Sequence, residues 1–289
     1  MICKTKRSGS APIIASTASS AGSVRRLAQT PLHLLLALLL ALVPAAQSQT
    51  APPADVDPEI ARMLERALHD AEELRKQLPT LQYDATMRVQ EWDARGKLRG
   101  TAKATAIVRP GDPQQPMKFT SREVTGKVRL PEEGKGKKKE EKEDNSTLHD
   151  FARDHQIAER FQFNLLGSQQ IAGGRARQVR FQPKPNFPAK NRADRFLNSI
   201  SGTAWISEDR NKLVKFDMKL QQPIQLFWIF AVLKELNIQY ELLAPSEILG
   251  RSKVKVVFAL NTPVYSIRQQ HDVDLDNFRR RDRIIAAAY

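Results

Sequence analysis

Four histidines stand in the body of the chain, His69, His149, His155 and His271, and the last has three aspartates close behind it. On a strand, Asp272, Asp274 and Asp276 share one face, and a divalent cation held by oxygen ligands is the chemistry that such a row suggests. A solvated edge strand near the C-terminus accounts for the same residues without a ligand, and that reading outweighs the metal. His149 and His155 lie six residues apart around Asp150 and Asp154, a spacing that fits no standard metal pattern. His69 falls on the polar side of a helical stretch. The sequence holds no Gly-x-Ser-x-Gly elbow, phosphate loop, dinucleotide fingerprint or zinc-protease helix. Nothing in it favours a pair of glycosidase carboxylates. The residues therefore point away from an enzyme, and they call for no metal or other cofactor.

The start of the chain carries a different kind of information. Arg25 and Arg26 precede an apolar run over residues 32–43, and Pro44, Ala45, Ala46, Gln47 and Ser48 follow it. Basic residues, a dozen apolar ones and small residues at a cleavage site have the form of a secretory signal. The run is shorter than the ~20 residues of a membrane span. Residues 1–48 are thus predicted to be a signal, with translation starting at Val24 and the exported protein beginning at Gln49. The sole cysteine, Cys3, falls in the leader, so the exported chain has no thiol chemistry.

The leader holds five of the 46 basic residues and none of the 32 acidic ones, which leaves a net charge of +9 on the remainder. That charge suits anionic partners, and after export a membrane surface is favoured over nucleic acid. A basic surface without a specific partner fits equally well.

The elements that must position any site follow from periodicity. Residues 49–56 read as a Pro/Ala linker. Asp57 and Pro58 open a helix as N-cap and first helical residue. Its apolar stripe runs through Ile60, Met63, Leu64, Ala67, Leu68, Ala71, Leu74 and Leu78 before Pro79 stops it. From Leu81 the period becomes two, with Tyr83, Ala85, Met87 and Val89 on one face. After a turn over residues 93–97, the return strand puts Gly100, Ala102, Ala104, Ala106 and Val108 on one face. Such small side chains leave volume for a close-packed helix or for a cavity. Strands are expected over residues 117–124, 161–167, 177–182, 202–206, 213–220, 238–243, 253–260 and 265–273. A short helix is expected over 148–157, and the charged residues 132–145 read as a mobile loop. Residues 224–233 are almost wholly apolar: a buried helix plugging the sheet, a loop lining a pocket, or an exposed patch. The whole predicts an α+β fold, one long antiparallel meander with a few helices, as a single domain over residues 57–280 and a tail over 281–289.

The order of these segments carries a resemblance. The residues concerned are Phe161-Gln162-Phe163-Asn164-Leu165-Leu166-Gly167, the turn Gly173-Gly174-Arg175, Val179-Arg180-Phe181-Gln182-Pro183, Gly202-Thr203-Ala204-Trp205-Ile206-Ser207 and Leu213-Val214-Lys215-Phe216. Between Asp57 and Phe278 the chain resembles the periplasmic outer-membrane lipoprotein-sorting proteins, the LolA-like family with its relatives LolB and RseB. The resemblance implies an unclosed antiparallel barrel wrapped around helices, with an apolar interior that receives acyl chains. A lining of Tyr83, Met87, Ala102, Ala104, Phe119, Trp205, Phe216, Met218, Phe227, Trp228 and Phe230 would follow. It implies a periplasmic, monomeric, non-catalytic protein holding a lipid or an acylated lipoprotein. The RseB-like alternative is a module that binds an envelope protein instead.

Overall fold

A computed structural model describes residues 57–112, 114–128, 147–171, 174–227, 231–245 and 249–281. The expected signal, linker and charged loop, and all but the first residue of the C-terminal tail, lie outside these residues. Helix α1 (Pro58–Gln77) begins as its sequence requires. The Asp57 side chain accepts a hydrogen bond from the Glu59 N–H (2.8 Å). Helix α2 (Leu148–Asp154), the single turn α3 (Ile157–Arg160) and α4 (Arg192–Leu197) are short. The strands are β1 (Leu81–Trp92), β2 (Leu98–Val108), β3 (Met117–Gly126), β4 (Phe161–Ile171), β5 (Gly174–Pro183), β6 (Ile200–Ser207), β7 (Leu213–Leu220), β8 (Ile224–Phe227), β9 (Ala231–Ala244), β10 (Arg251–Asn261) and β11 (Ser266–Arg280).

All eleven belong to one sheet, in the order β3-β2-β1-β11-β10-β9-β7-β6-β5-β4, with β8 paired to β9 off this path. Every pairing is antiparallel. The path does not close, since β3 and β4 are its two ends. One apolar cluster nevertheless joins Tyr83, Ala85 and Val108 near one end to Val179, Phe181 and Ile206 near the other. The α1 stripe, Ile60, Leu64, Ala67, Leu68 and Ala71, lies in the same cluster. A sheet whose distant strands meet around one helix must curl round it, so the fold is an open half-barrel holding α1, of α+β class.

Two readings are corrected here. Residues 224–227 form β8, which pairs with the start of β9 through Ile224↔Leu233 and Phe227↔Ala231. Residues 224–227 and 231–233 of the apolar run are therefore paired strands and not a buried helix. A run that is apolar on both faces has no period to separate the two. Strand β11 lies between β1 and β10, so the C-terminal strand is central and not an edge.

Polar knots fix the helices. The buried carboxylate of Glu72 on α1 accepts from the Leu148 N–H (2.9 Å) and from Arg75 (2.9 Å), so α1 caps α2. Asp194 on α4 accepts from His155 Nδ1 (2.6 Å) and the Lys190 N–H (2.8 Å), and it pairs with Arg160 (3.2 Å). Arg160 also bonds Asn198 and lies over the Phe187 ring at 4.7 Å. Burial opposes ionisation of Asp194, but these donors and the arginine outweigh it and hold the carboxyl below its ordinary range.

Candidate functional site

Strand register decides what the half-barrel presents inward. Reading the pairs across the sheet gives one row: Ala102, Val89, His271, Val256, Ile238, Met218, Gly202 and Phe181. The neighbouring row is Ala104, Met87, Val273, Val254, Tyr240, Phe216, Ala204 and Val179. Both face α1, because Val256, Ile238, Met218 and Phe181 of the first and Val273, Val254, Phe216 and Val179 of the second belong to its cluster. Across these eight strands the rows are apolar apart from His271 and the hydroxyl of Tyr240, and on β3 the second row continues into Arg122. Their β1–β2 end is floored by alanines, and Ala102, Ala104 and Ala106 are all buried.

A third row, Gly100, Glu91, Gln269, Phe258 and Leu236, flanks His271. Its polar members are interior groups: Glu91 is 1% exposed, and Gln269 and His271 are each 2% exposed. Gln269 Nε2 donates to Glu91 Oε2 (2.8 Å), and Arg99 approaches the same carboxylate (3.3 Å). Gln269 Oε1 and His271 Nε2 are 2.9 Å apart. The Phe258 ring stacks on the imidazole with centroids at 5.7 Å. Burial pushes His271 down to about 4, against the smaller opposing pull of Asp272. The imidazole is therefore neutral at neutral pH.

The residues expected to line the interior fall in several places. Ala102, Ala104, Phe216 and Met218 are buried on the inner rows, and Met87 is half-buried among them. Tyr83 is buried in the α1 cluster, where its ring meets Phe278 at 4.9 Å. Phe119 is half-buried on β3, opposite Ala106. Trp205 follows Ala204 in β6 and so points to the other face. There it packs with Ala176, Val214 and Leu242, donates to Gln169 (2.8 Å) and carries Lys215 over its ring at 4.8 Å. Phe227 belongs to β8. Trp228 and Phe230 lie outside the described residues.

The aspartates of β11 separate from His271 in the same way. Asp272, Asp274 and Asp276 alternate with the inner row and take the outer face. Asp274 stands near Arg88 (3.8 Å) and Lys253 (3.9 Å), and Asp276 near Arg251 (3.9 Å). Among the described residues no three acidic, histidine or cysteine side chains form a set able to hold a metal ion. An outer groove of about 640 Å³ runs past these residues, and its charges of both signs neutralise one another. Glu91 and Gln269 are the parts of the site that the sequence reading does not single out. The two-residue alternation of Ile267, Gln269, His271, Val273 and Leu275 is the signal that assigns His271 inward.

No protein-family model matches the chain, and no curated protein matches it. Among solved structures the fold is similar to a DUF1329 family protein from Desulfovibrio piger, at 12% identity and a TM-score of 0.29 over 78% of this chain and 94% of that one. It is similar to MucB in complex with MucA(peri), at 10% identity and a TM-score of 0.23 over 76% of this chain and 98% of that one. An outer membrane lipoprotein-sorting protein domain from Vibrio parahaemolyticus shows 10% identity and a TM-score of 0.26, over 75% of this chain and 93% of that one. Likenesses of this size assign neither a family nor an activity.

Proposed function

We propose that the protein is an exported, non-catalytic binding protein that holds a lipid or the acyl chain of a lipoprotein against the inner face of its half-barrel. The observation that carries the reading is the pair of inner rows. Across eight strands they are apolar but for His271 and the Tyr240 hydroxyl, and they are floored with alanine on β2, one strand in from the β3 edge. An acyl chain buried on such a face gains ~0.8 kcal/mol per methylene, so about ten methylenes supply ~8 kcal/mol towards binding before the cost of association is subtracted. The apolar face needs no nucleophile or acid, and His271 on it is neutral, stacked on Phe258 and bonded to the Gln269 amide. The leader with its Arg25-Arg26 pair and apolar run supports a periplasmic location, and the net positive charge of the remainder supports delivery to anionic membranes.

The test is uptake of a fluorescent fatty acid by the folded protein, compared with Ala104→Phe. The larger side chain fills the alanine floor from the middle of β2. Saturable uptake by the natural chain and at least tenfold weaker uptake by the variant, with unchanged far-ultraviolet circular dichroism, is the expected result. Failure of the natural chain to bind any acyl probe would overturn the proposal.

A further inference from the structure

The inner face contains one polar device that acyl burial alone does not require. Glu91, Gln269 and His271 form a chain of hydrogen bonds, each residue at most 2% exposed. Its polarity can be read from its end. The Glu91 carboxylate, approached by the Arg99 guanidinium, only accepts, so the Gln269 amide must turn its NH₂ towards it. The Gln269 carbonyl oxygen is then the atom that meets His271 Nε2. A carbonyl cannot donate, so Nε2 carries the proton. The remaining ring nitrogen, Nδ1, is left as an acceptor. It is fully buried and has no hydrogen-bond partner among the described residues.

A buried acceptor without a donor costs ~1–3 kcal/mol. The arrangement around it is built to keep that acceptor in one orientation, since the Phe258 ring stacks on the imidazole and the Glu91–Gln269 pair holds the tautomer. His271 also sits in the middle of an otherwise apolar row, between Val89 and Val256. We propose that His271 Nδ1 is the polar anchor of the acyl site, accepting a hydrogen bond from an O–H or N–H group at the carbonyl end of the bound chain. The ligand class is thus a neutral acyl amphiphile with a donor, either a hydroxyl-bearing acylglycerol or an N-acyl amide, and not a full ester. This rests on the acyl-binding reading above and narrows it to a headgroup chemistry.

The test is competition against a fluorescent fatty acid by three ligands of one chain length: monooleoylglycerol, oleoyl ethanolamide and methyl oleate, the last without a donor. The natural chain should prefer a donor-bearing ligand to methyl oleate by about tenfold, the worth of one buried hydrogen bond. His271→Phe should lose the preference and bind all three ligands with about equal affinity. Which donor-bearing ligand gains most separates the glycerol from the amide source. Equal affinity for all three in the natural chain, or a preference that survives in His271→Phe, overturns the anchor and leaves acyl binding standing. If the probe binds and none of the three displaces it, the anchor falls and acyl binding stands; if the probe itself does not bind, both fall. A second readout does not depend on the variant. In the imidazole ¹⁵N spectrum of the natural chain, the Nδ1 resonance should sit at the frequency of a bare acceptor and shift upfield on adding monooleoylglycerol or oleoyl ethanolamide, but not methyl oleate. An Nδ1 resonance unmoved by either donor-bearing ligand refutes the proposal.

Discussion

Acid should weaken this fold through His271, and the size of the effect follows from where the residue lies. Burial on the inner face pushes its proton affinity from the ordinary 6.5 down to about 4, the nearby Asp272 opposing only in part. Above pH 6.5 the imidazole is neutral in both the folded and the unfolded chain and contributes no pH dependence. Between pH 6.5 and 4 the unfolded chain takes up a proton that the folded chain refuses, so stability falls as the pH falls. Below about 4 both states are protonated and the loss is complete. A difference of 2.5 pH units corresponds to roughly 3 kcal/mol. The charged groups that face the ring are Asp272 beside it on β11 and Glu91 with Arg99, reached through Gln269. Urea unfolding followed by tryptophan fluorescence from pH 7.5 to 4 measures the loss. His271→Phe, which keeps the ring against Phe258, provides the comparison, since every other titrating group is shared. The natural chain should lose roughly 3 kcal/mol more than the variant across that window. Parallel curves for the two proteins, or a His271 resonance that titrates near pH 6.5, would refute the placement of the imidazole in an apolar interior.

Two further perturbations test the packing that holds the inner rows. A Cβ at Gly202 would come within 2.0 Å of the Asp217 carbonyl oxygen and 2.7 Å of the Phe181 ring. Gly202→Ala should therefore cost roughly 1–3 kcal/mol in thermal or urea unfolding, and trimming Phe181 should restore only part of it because the carbonyl is backbone. Arg160→Met removes the arginine paired with the buried Asp194, leaving it the His155 and Lys190 donors, and should cost about 3 kcal/mol, while adding Asp194→Asn should recover a share of that loss. A double variant whose loss equals the sum of the Arg160→Met and Asp194→Asn losses would show that the pair is not coupled.

Much of this architecture is legible because it is local. Asp57, Pro58 and a stripe at helical spacing define α1 without reference to anything else in the chain. The β1–β2 hairpin follows from a change of period and a polar turn, and its alanine row was visible as a face before any partner was known. What fails to show is what depends on both faces at once or on distant pairing. Residues 226–233 are apolar on either side, so length and period do not separate helix from strand. Trp205 has the composition of a core residue, yet the register of β6 puts Ala204 inward and sends Trp205 to the opposite face. Helix α4 is too short to show a stripe, and only its Asn191 cap marks it. The polar chain joins Glu91 to Gln269 across 178 residues, and no spacing in the sequence brings them together. The central position of β11 is likewise a matter of topology, and it is what turns His271 from a residue of a solvated edge into one of the interior.

The central claim is that the inner face holds an acyl chain. It is tested most directly by mass spectrometry of an organic extract from the protein, expressed with its leader and purified from the periplasm without detergent. The account predicts a phospholipid, acylglycerol or acylated peptide at close to one molecule per chain. A clean extract from well-folded protein would contradict it and would leave the half-barrel as a face for a protein partner.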